Sequence, residues 1–308
     1  MSRRGWVLFT AMSMIWGVPY LLIKIADGGV SVPVLVFVRV AGGAAVLLPI
    51  ALRRHQLGVL RPHWRWLGLF ACVEIILPWL FLSAAERQLS SSMSGLLIAS
   101  VPIIGVALAR LTGGTERLAP LRWVGLLGGL AGVALLAAPG ALGGDAWSVT
   151  EVMLTAVGYA TGPLIASRKL AALPGLGVTA VCLGFATVVY APAAALSWPR
   201  AVPSARVLGS LAALALICTA LAFVLFFKLI AEVGPARATV ITYVNPAVAV
   251  VLGVGVLGEP LTPEVIAAFG LILVGSVLAT RSGLPGHPGD ATAEPHEPDS
   301  SARAAVRP

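Results

Sequence analysis

Apolar runs of about 20 residues recur from one end of the chain almost to the other, separated by short polar breaks, and that length is what a helix needs to cross a bilayer. The runs fall at 5–25, 33–52, 65–85, 91–110, 120–138, 149–167, 176–197, 207–230, 237–257 and 263–280. Only Glu86, Arg87 and a group of serines separate the third run from the fourth. The last run is short and begins with Glu264, which snorkels at its edge. The pattern predicts an all-α integral membrane protein of ten transmembrane helices.

Charge fits this map. With the N-terminus inside, the inner side collects Arg3, Arg4, Arg53, Arg54, Arg61, Arg65, Arg110, Arg117, Arg122, Arg168, Lys169, Lys228, Arg237 and Arg281, while the outer loops hold Arg87, Arg200 and Arg206. Basic residues mark cytoplasmic loops, so both termini are expected in the cytoplasm of a plasma (inner) membrane protein. Removing any one span would spoil this asymmetry. Arg3 and Arg4 followed by an apolar run imitate a signal peptide. The run is too long for one and no small-residue cleavage site follows, so it is expected to stay as the first helix.

Composition agrees: 58% of the 308 residues are hydrophobic, 11% are charged, and mean hydropathy is +0.94. A soluble domain would carry far more surface charge. The net charge of +8 would suggest nucleic acid in a soluble protein, but here it lies between apolar runs and no nucleic-acid partner is expected. Arginine far outnumbers lysine, and Ala and Gly abound, as in GC-rich bacterial genomes. Cys72, Cys182 and Cys218 all fall inside apolar runs, without metal spacing or a disulfide framework. No metal or cofactor is expected. Residues 282–308, rich in Pro, Gly, Ala and acidic residues, read as a disordered cytoplasmic tail.

The chain repeats itself. Pro102 opens a run ending in Glu116-Arg117-Leu118-Ala119-Pro120, and Pro246 opens one ending in Glu259-Pro260-Leu261-Thr262-Pro263. Both read E-x-L-x-P, and at the same offset Gly132 matches Gly275 and Leu135 matches Leu278. The implied units are 1–140 and 141–281, each with five spans. An odd number of spans turns the second unit upside down, giving two inverted five-helix repeats. Inverted repeats are a physical basis for alternating access.

Together these residues resemble the EamA-like branch of the drug/metabolite transporter superfamily. The resemblance rests on Trp16-Gly17 and Lys24 in the first helix, Arg39 in the second, and the segments Pro102 to Pro120 and Pro246 to Pro263. The first-half loop, Thr112-Gly113-Gly114-Thr115-Glu116, departs from the L-G-E form kept by Leu257-Gly258-Glu259. The resemblance implies a ten-helix secondary carrier with a central cavity, moving a small metabolite or drug-like solute and often exporting it. It leaves the solute open.

Charges inside a membrane are costly and tend to face a partner or a cavity. Counted from Arg65, Glu74 lies about 13 Å into the third helix, and counted from Arg53, Arg39 lies about 21 Å from the inner edge. Both are expected at the cavity, paired or bridged by solute, against the plainer reading of a structural ion pair. Lys24 lies about 30 Å from Arg4 along the first helix, where snorkelling competes with a gating role. Glu86 and Arg87 read as a solvated loop pair, and Lys228 and Arg237 as anchors at the inner edge. Trp16, Tyr20, Trp79, Tyr159, Tyr243 and Asn245 are candidates to shape the cavity, although Trp and Tyr also populate interfaces and helix contacts. Asn245 precedes Pro246, where a helix carbonyl loses its donor. Pro19, Pro102 and Pro246, with Pro78, Pro163 and Pro192, are expected kink points. Gly125, Gly129 and Gly128, Gly132 form overlapping GxxxG patterns, read as packing within the chain in preference to a homodimer seam.

Other classes find less support. No G-x-S-x-G, H-E-x-x-H or Walker A motif is present, and all four histidines, His55, His63, His287 and His296, fall in cytoplasmic segments. An intramembrane enzyme or an ATP-driven pump is therefore disfavoured. A channel would want a polar ring, and the spans supply none. Protons are a candidate coupling ion, because Glu74 can titrate.

Overall fold

The computed structural model describes residues 2–112, 120–137, 145–234, 238 and 240–280. The expected tail and most of the first E-x-L-x-P motif lie outside these residues. Among the described residues the chain forms ten long helical segments: α1 Arg3–Asp27, α2 Val32–Arg53, α3 Gly58–Ala85, α4 Ser91–Leu111, α5 Pro120–Ala137, α6 Ala146–Leu170, α7 Gly175–Leu196, α8 Ala205–Val233, α9 Ile241–Leu257 and α10 Pro263–Thr280. Seven of them, α1 to α4 and α6 to α8, are long and apolar enough to cross a membrane, and the other three are shorter apolar helices. The third helix starts earlier than hydropathy suggests, because Gly58–His63 forms a 3₁₀ turn before the α-helix opens at Trp64.

Helix ends follow local chemistry. Ser2, Ser90, Asp145 and Ser204 each cap a helix by accepting a backbone N–H three residues on. The Ser148 hydroxyl and amide hold the Asp145 carboxyl below its usual range. Apolar side chains such as Val188, Leu127 and Val251 are well exposed on the outer surface, as lipid contact requires. The exposed tryptophans Trp6, Trp64, Trp123, Trp147 and Trp198 all lie near helix ends, where amphipathic rings favour the headgroup level.

Proline acts differently at Pro19, Pro102 and Pro246, three of the six expected kinks. The first helix breaks at Val18, between Gly17 and Pro19. The fourth breaks at Ala99–Ser100, just before Pro102, and Ser276 Oγ of α10 donates to the Ala99 carbonyl at 2.8 Å. Pro246 sits inside a continuous α9.

Packing has a regular plan. The main contacts join α5 to α10, α2 to α7 and α4 to α9. They also join α3 to α6 and α8 to α1, α2 to α8 and α7 to α3, and α4 to α6 and α9 to α1. This set is unchanged when every helix number is shifted by five. The tightest crossing, α5 on α10, follows the same rule atom by atom. A Cβ on Gly275 would meet the Gly129 amide nitrogen at 2.5 Å and the Gly125 carbonyl at 2.6 Å. A Cβ on Gly132 would meet Ile272 at 2.8 Å and the Ala268 carbonyl at 3.0 Å. At the motif offset, Gly132, Gly129 and Gly125 correspond to Gly275, Ile272 and Ala268. Each contact is therefore the counterpart of the other. The glycines serve packing within the chain, except Gly128, which faces open space.

Candidate functional site

Among the described residues three helices carry a π-helical segment, Cys72–Ile76 in α3, Ala166–Leu170 in α6 and Ala213–Leu221 in α8, and the first and last lie on helices that correspond in the packing plan. A π segment carries an extra residue, turns side chains to new directions and recurs at functional sites. Tyr190 of α7 donates to the Ile76 carbonyl at 2.6 Å, and Thr219 donates to the Leu214 carbonyl five residues back at 2.8 Å.

Arg39 of α2 lies against both helices. Only 6% of its surface is accessible. Its Nε donates to Thr219 Oγ1 at 3.2 Å, and its guanidinium carbon stands 3.7 Å from the centroid of the Trp79 ring. Stacking of a desolvated cation on an indole face contributes about 2 kcal/mol. Among the described residues the two terminal nitrogens of Arg39 have no hydrogen-bond acceptor on the protein, yet they are not sealed from accessible space. An arginine has five N–H donors in a planar fork. This one commits a single donor and leaves the paired end open.

Around it stand Tyr159 of α6, Cys218 of α8, Glu86 after α3 and Tyr20 of α1, all close enough to feel its charge. Tyr159 also lies within hydrogen-bonding reach of the Trp79 indole and beside Glu74. Glu74 occupies the π segment of α3. It packs so tightly on Gly162 that any side chain there would collide with it, and its Oε2 is buried without a hydrogen-bond partner. No ion pair joins Arg39 to Glu74 among the described residues. Of the sequence candidates, Arg39, Glu74, Trp79, Tyr20 and Tyr159 therefore meet in one region.

The others are placed elsewhere. Trp16 packs on Phe223 and Phe226 of α8, with ring centroids 5.8 and 4.7 Å away. Tyr243 donates to the Ser276 carbonyl of α10 at 3.3 Å. The Asn245 amide, oriented to satisfy both carbonyls, donates to Ile241 at 2.9 Å and to Ser13 of α1 at 3.1 Å, tying α9 to α1. Lys24 turns toward the loop after α3, where Nζ donates to the carbonyls of Glu86, Leu89 at 2.9 Å and Arg87 at 3.5 Å.

One expectation is overturned. Glu86 and Arg87 are not a solvated loop pair. Glu86 is fully buried at 0% exposure, with both carboxylate oxygens unpartnered, while Arg87 pairs with Asp27 at 2.7 Å and donates to the Val30 carbonyl at 3.2 Å. Lys24 and Asp27 of α1 and Glu259 lie close enough for their charges to act on it, and the Glu259 carboxylate accepts the Ser91 and Ser92 amides at 2.7 and 2.9 Å and the Ser92 hydroxyl at 2.5 Å. Thr219 and Cys218 were also not among the sequence candidates, and a lone Thr and Cys in an apolar run carry no signal that would single them out.

A polar centre buried among apolar helices is the mark of a membrane protein with a use for intramembrane charge. The sequence profile of the EamA-like transporter family matches twice, over residues 3–138 and 146–281. The chain belongs to that family and is a membrane transporter. It is 33% identical over 277 residues to an uncharacterized inner membrane transporter, YedA, of Escherichia coli (strain K12), covering 88% of each chain. The YedA of Escherichia coli O157:H7 matches to the same extent. A crystal structure of another protein superposes with a TM-score of 0.63 at 25% identity, covering 91% of this chain and 97% of that one.

Proposed function

We propose that the chain is a secondary carrier of the inner membrane that moves a small metabolite or drug-like solute by alternating access, with export as its working direction. Arg39 carries this reading: a buried guanidinium whose forked end faces no protein acceptor is built to receive an anionic group. Trp79 supplies a flat stacking surface, Tyr20 and Tyr159 supply hydroxyls, and Glu74 supplies a carboxyl across the same region. A solute with an anionic group at one end and a hydrogen-bond donor at the other matches the set.

Alternating access draws on the packing plan. We read the protein as ten transmembrane helices in two inverted five-helix repeats, 1–140 and 141–281, with both termini cytoplasmic. The five-helix shift in the contacts and the reciprocal glycine crossing support this reading. Five crossings per repeat make corresponding helices run in opposite senses, so exchanging the conformations of the repeats exchanges the open side.

The test compares metabolites inside and outside cells overproducing the native protein, Arg39→Lys or Glu74→Gln. The native protein is expected to enrich a chemically unchanged compound outside. R39K, which keeps the charge and loses the planar fork, is expected to cut that enrichment at least tenfold, and E74Q to impair it with normal membrane insertion. Export unchanged in both variants rejects the site, and two chemically related compounds changing reciprocally would mean an enzyme.

A further inference from the structure

Glu86 borders the solute site just described, close enough to feel Arg39, Tyr20 and Tyr159, and its surroundings are unusual. It follows the last residue of the span ending at Ala85, yet it is fully buried and, among the described residues, neither carboxylate oxygen has a hydrogen-bond partner. The nearby cations are held by other groups. Lys24 has three donors and spends them on the carbonyls of Glu86, Arg87 and Leu89. Arg87 holds Asp27, and Arg39, held by Thr219 and Trp79 with its paired end open, forms no ion pair with Glu86 among the described residues. An ionised carboxylate sealed in this way is costly, and the simplest neutraliser is a proton.

We propose that Glu86 is a proton-binding site whose occupancy is coupled to closure of the end of the bundle formed by Lys24, Asp27, Arg87 and Glu259. This rests on the carrier reading. When that end is closed, the carboxyl keeps its proton. When Lys24 leaves the loop and Arg87 leaves Asp27, water reaches the carboxyl and the proton passes to the aqueous phase on that side.

The groups acting on Glu86 are Lys24, Asp27 and Tyr20 from α1, Arg39 from α2, Tyr159 from α6 and Glu259 from the loop after α9. Burial pushes the carboxyl well above the usual carboxylate range; Lys24 and Arg39 pull the other way, and Glu259 and Asp27 add to the rise. Glu74 is the rival proton site, but it is only partly buried and lies beside Tyr159, away from the Lys24–Asp27–Arg87 end.

The test is an infrared pH titration of the full chain in lipid vesicles. A protonated-carboxyl band lost in Glu86→Gln and kept in Glu74→Gln is assigned to Glu86. If E86Q does not fold, Glu86→Asp replaces it, since its shorter arm displaces the same band. The native protein is expected to show the band at neutral pH. In Arg87→Gln the band is expected to vanish at lower pH than in the native protein, because the closure is loosened. Simple electrostatics gives the opposite sign, since losing a cation and unmasking Asp27 would hold the proton more tightly. An ionised Glu86 at neutral pH, or an R87Q titration at the native pH or above, overturns the proposal. Export that persists with an ionised Glu86 removes this site alone, and a protonated Glu86 in a chain that moves no solute removes the carrier reading alone.

Discussion

Arg39 shows how one buried cation is held without being neutralised. Its charge is spread over the Trp79 face and anchored by one hydroxyl, so the guanidinium is oriented while its fork stays available. Thr219→Val keeps the shape and removes the anchor. It is expected to lower stability by about 1–2 kcal/mol and to weaken transport more than this loss implies. Thermal melting in detergent, set beside export in cells, checks both parts. Glu86 sets a second expectation at this scale. The folded chain keeps a proton that the unfolded chain releases above its ordinary pKa of 4.5. Stability therefore falls as pH rises from that value toward the raised one. Melting curves across that range are expected to be flatter for E86Q than for the native protein. The same residue shows where sequence reasoning stops. Beside Arg87 and among serines, Glu86 has the local signature of a loop, and the groups that meet it, Lys24, 62 positions away, and Glu259 from the second half, are distant in sequence.

Among the helices, the ten apolar runs are legible because lipid demands about 20 apolar residues wherever a helix crosses. The π segments are not legible, since a one-residue insertion leaves hydropathy unchanged. The glycine crossing is half legible. The GxxxG spacing marks a close contact, but only the packing identifies α10 as the partner and excludes Gly128. Gly275→Ala puts a methyl group within 2.7 Å of the α5 backbone, so the helices must separate. It is expected to lower the melting temperature and the folded yield. Gly132→Ala is expected to do the same, while Gly128→Ala, in open space, is expected to be neutral or slightly stabilising. Fluorescence-detected size-exclusion profiles over a temperature series separate the three.

For the whole molecule, the orientation reading makes a simple demand. With the native cysteines replaced, a cysteine at Ser197 is expected to react with a membrane-impermeant maleimide in intact cells. One at Ser2 is expected to react only after permeabilisation. The reverse pattern would turn the protein over in the membrane and place the Glu86 closure on the cytoplasmic side. The α5–α10 crossing carries one more consequence. Because each glycine meets the counterpart of what its mate meets, the surface is self-complementary: a five-helix chain bearing one such face contains everything needed to dock on an antiparallel copy of itself. Gene duplication and fusion would tether such a pair, and each half would then be free to acquire side chains the other lacks.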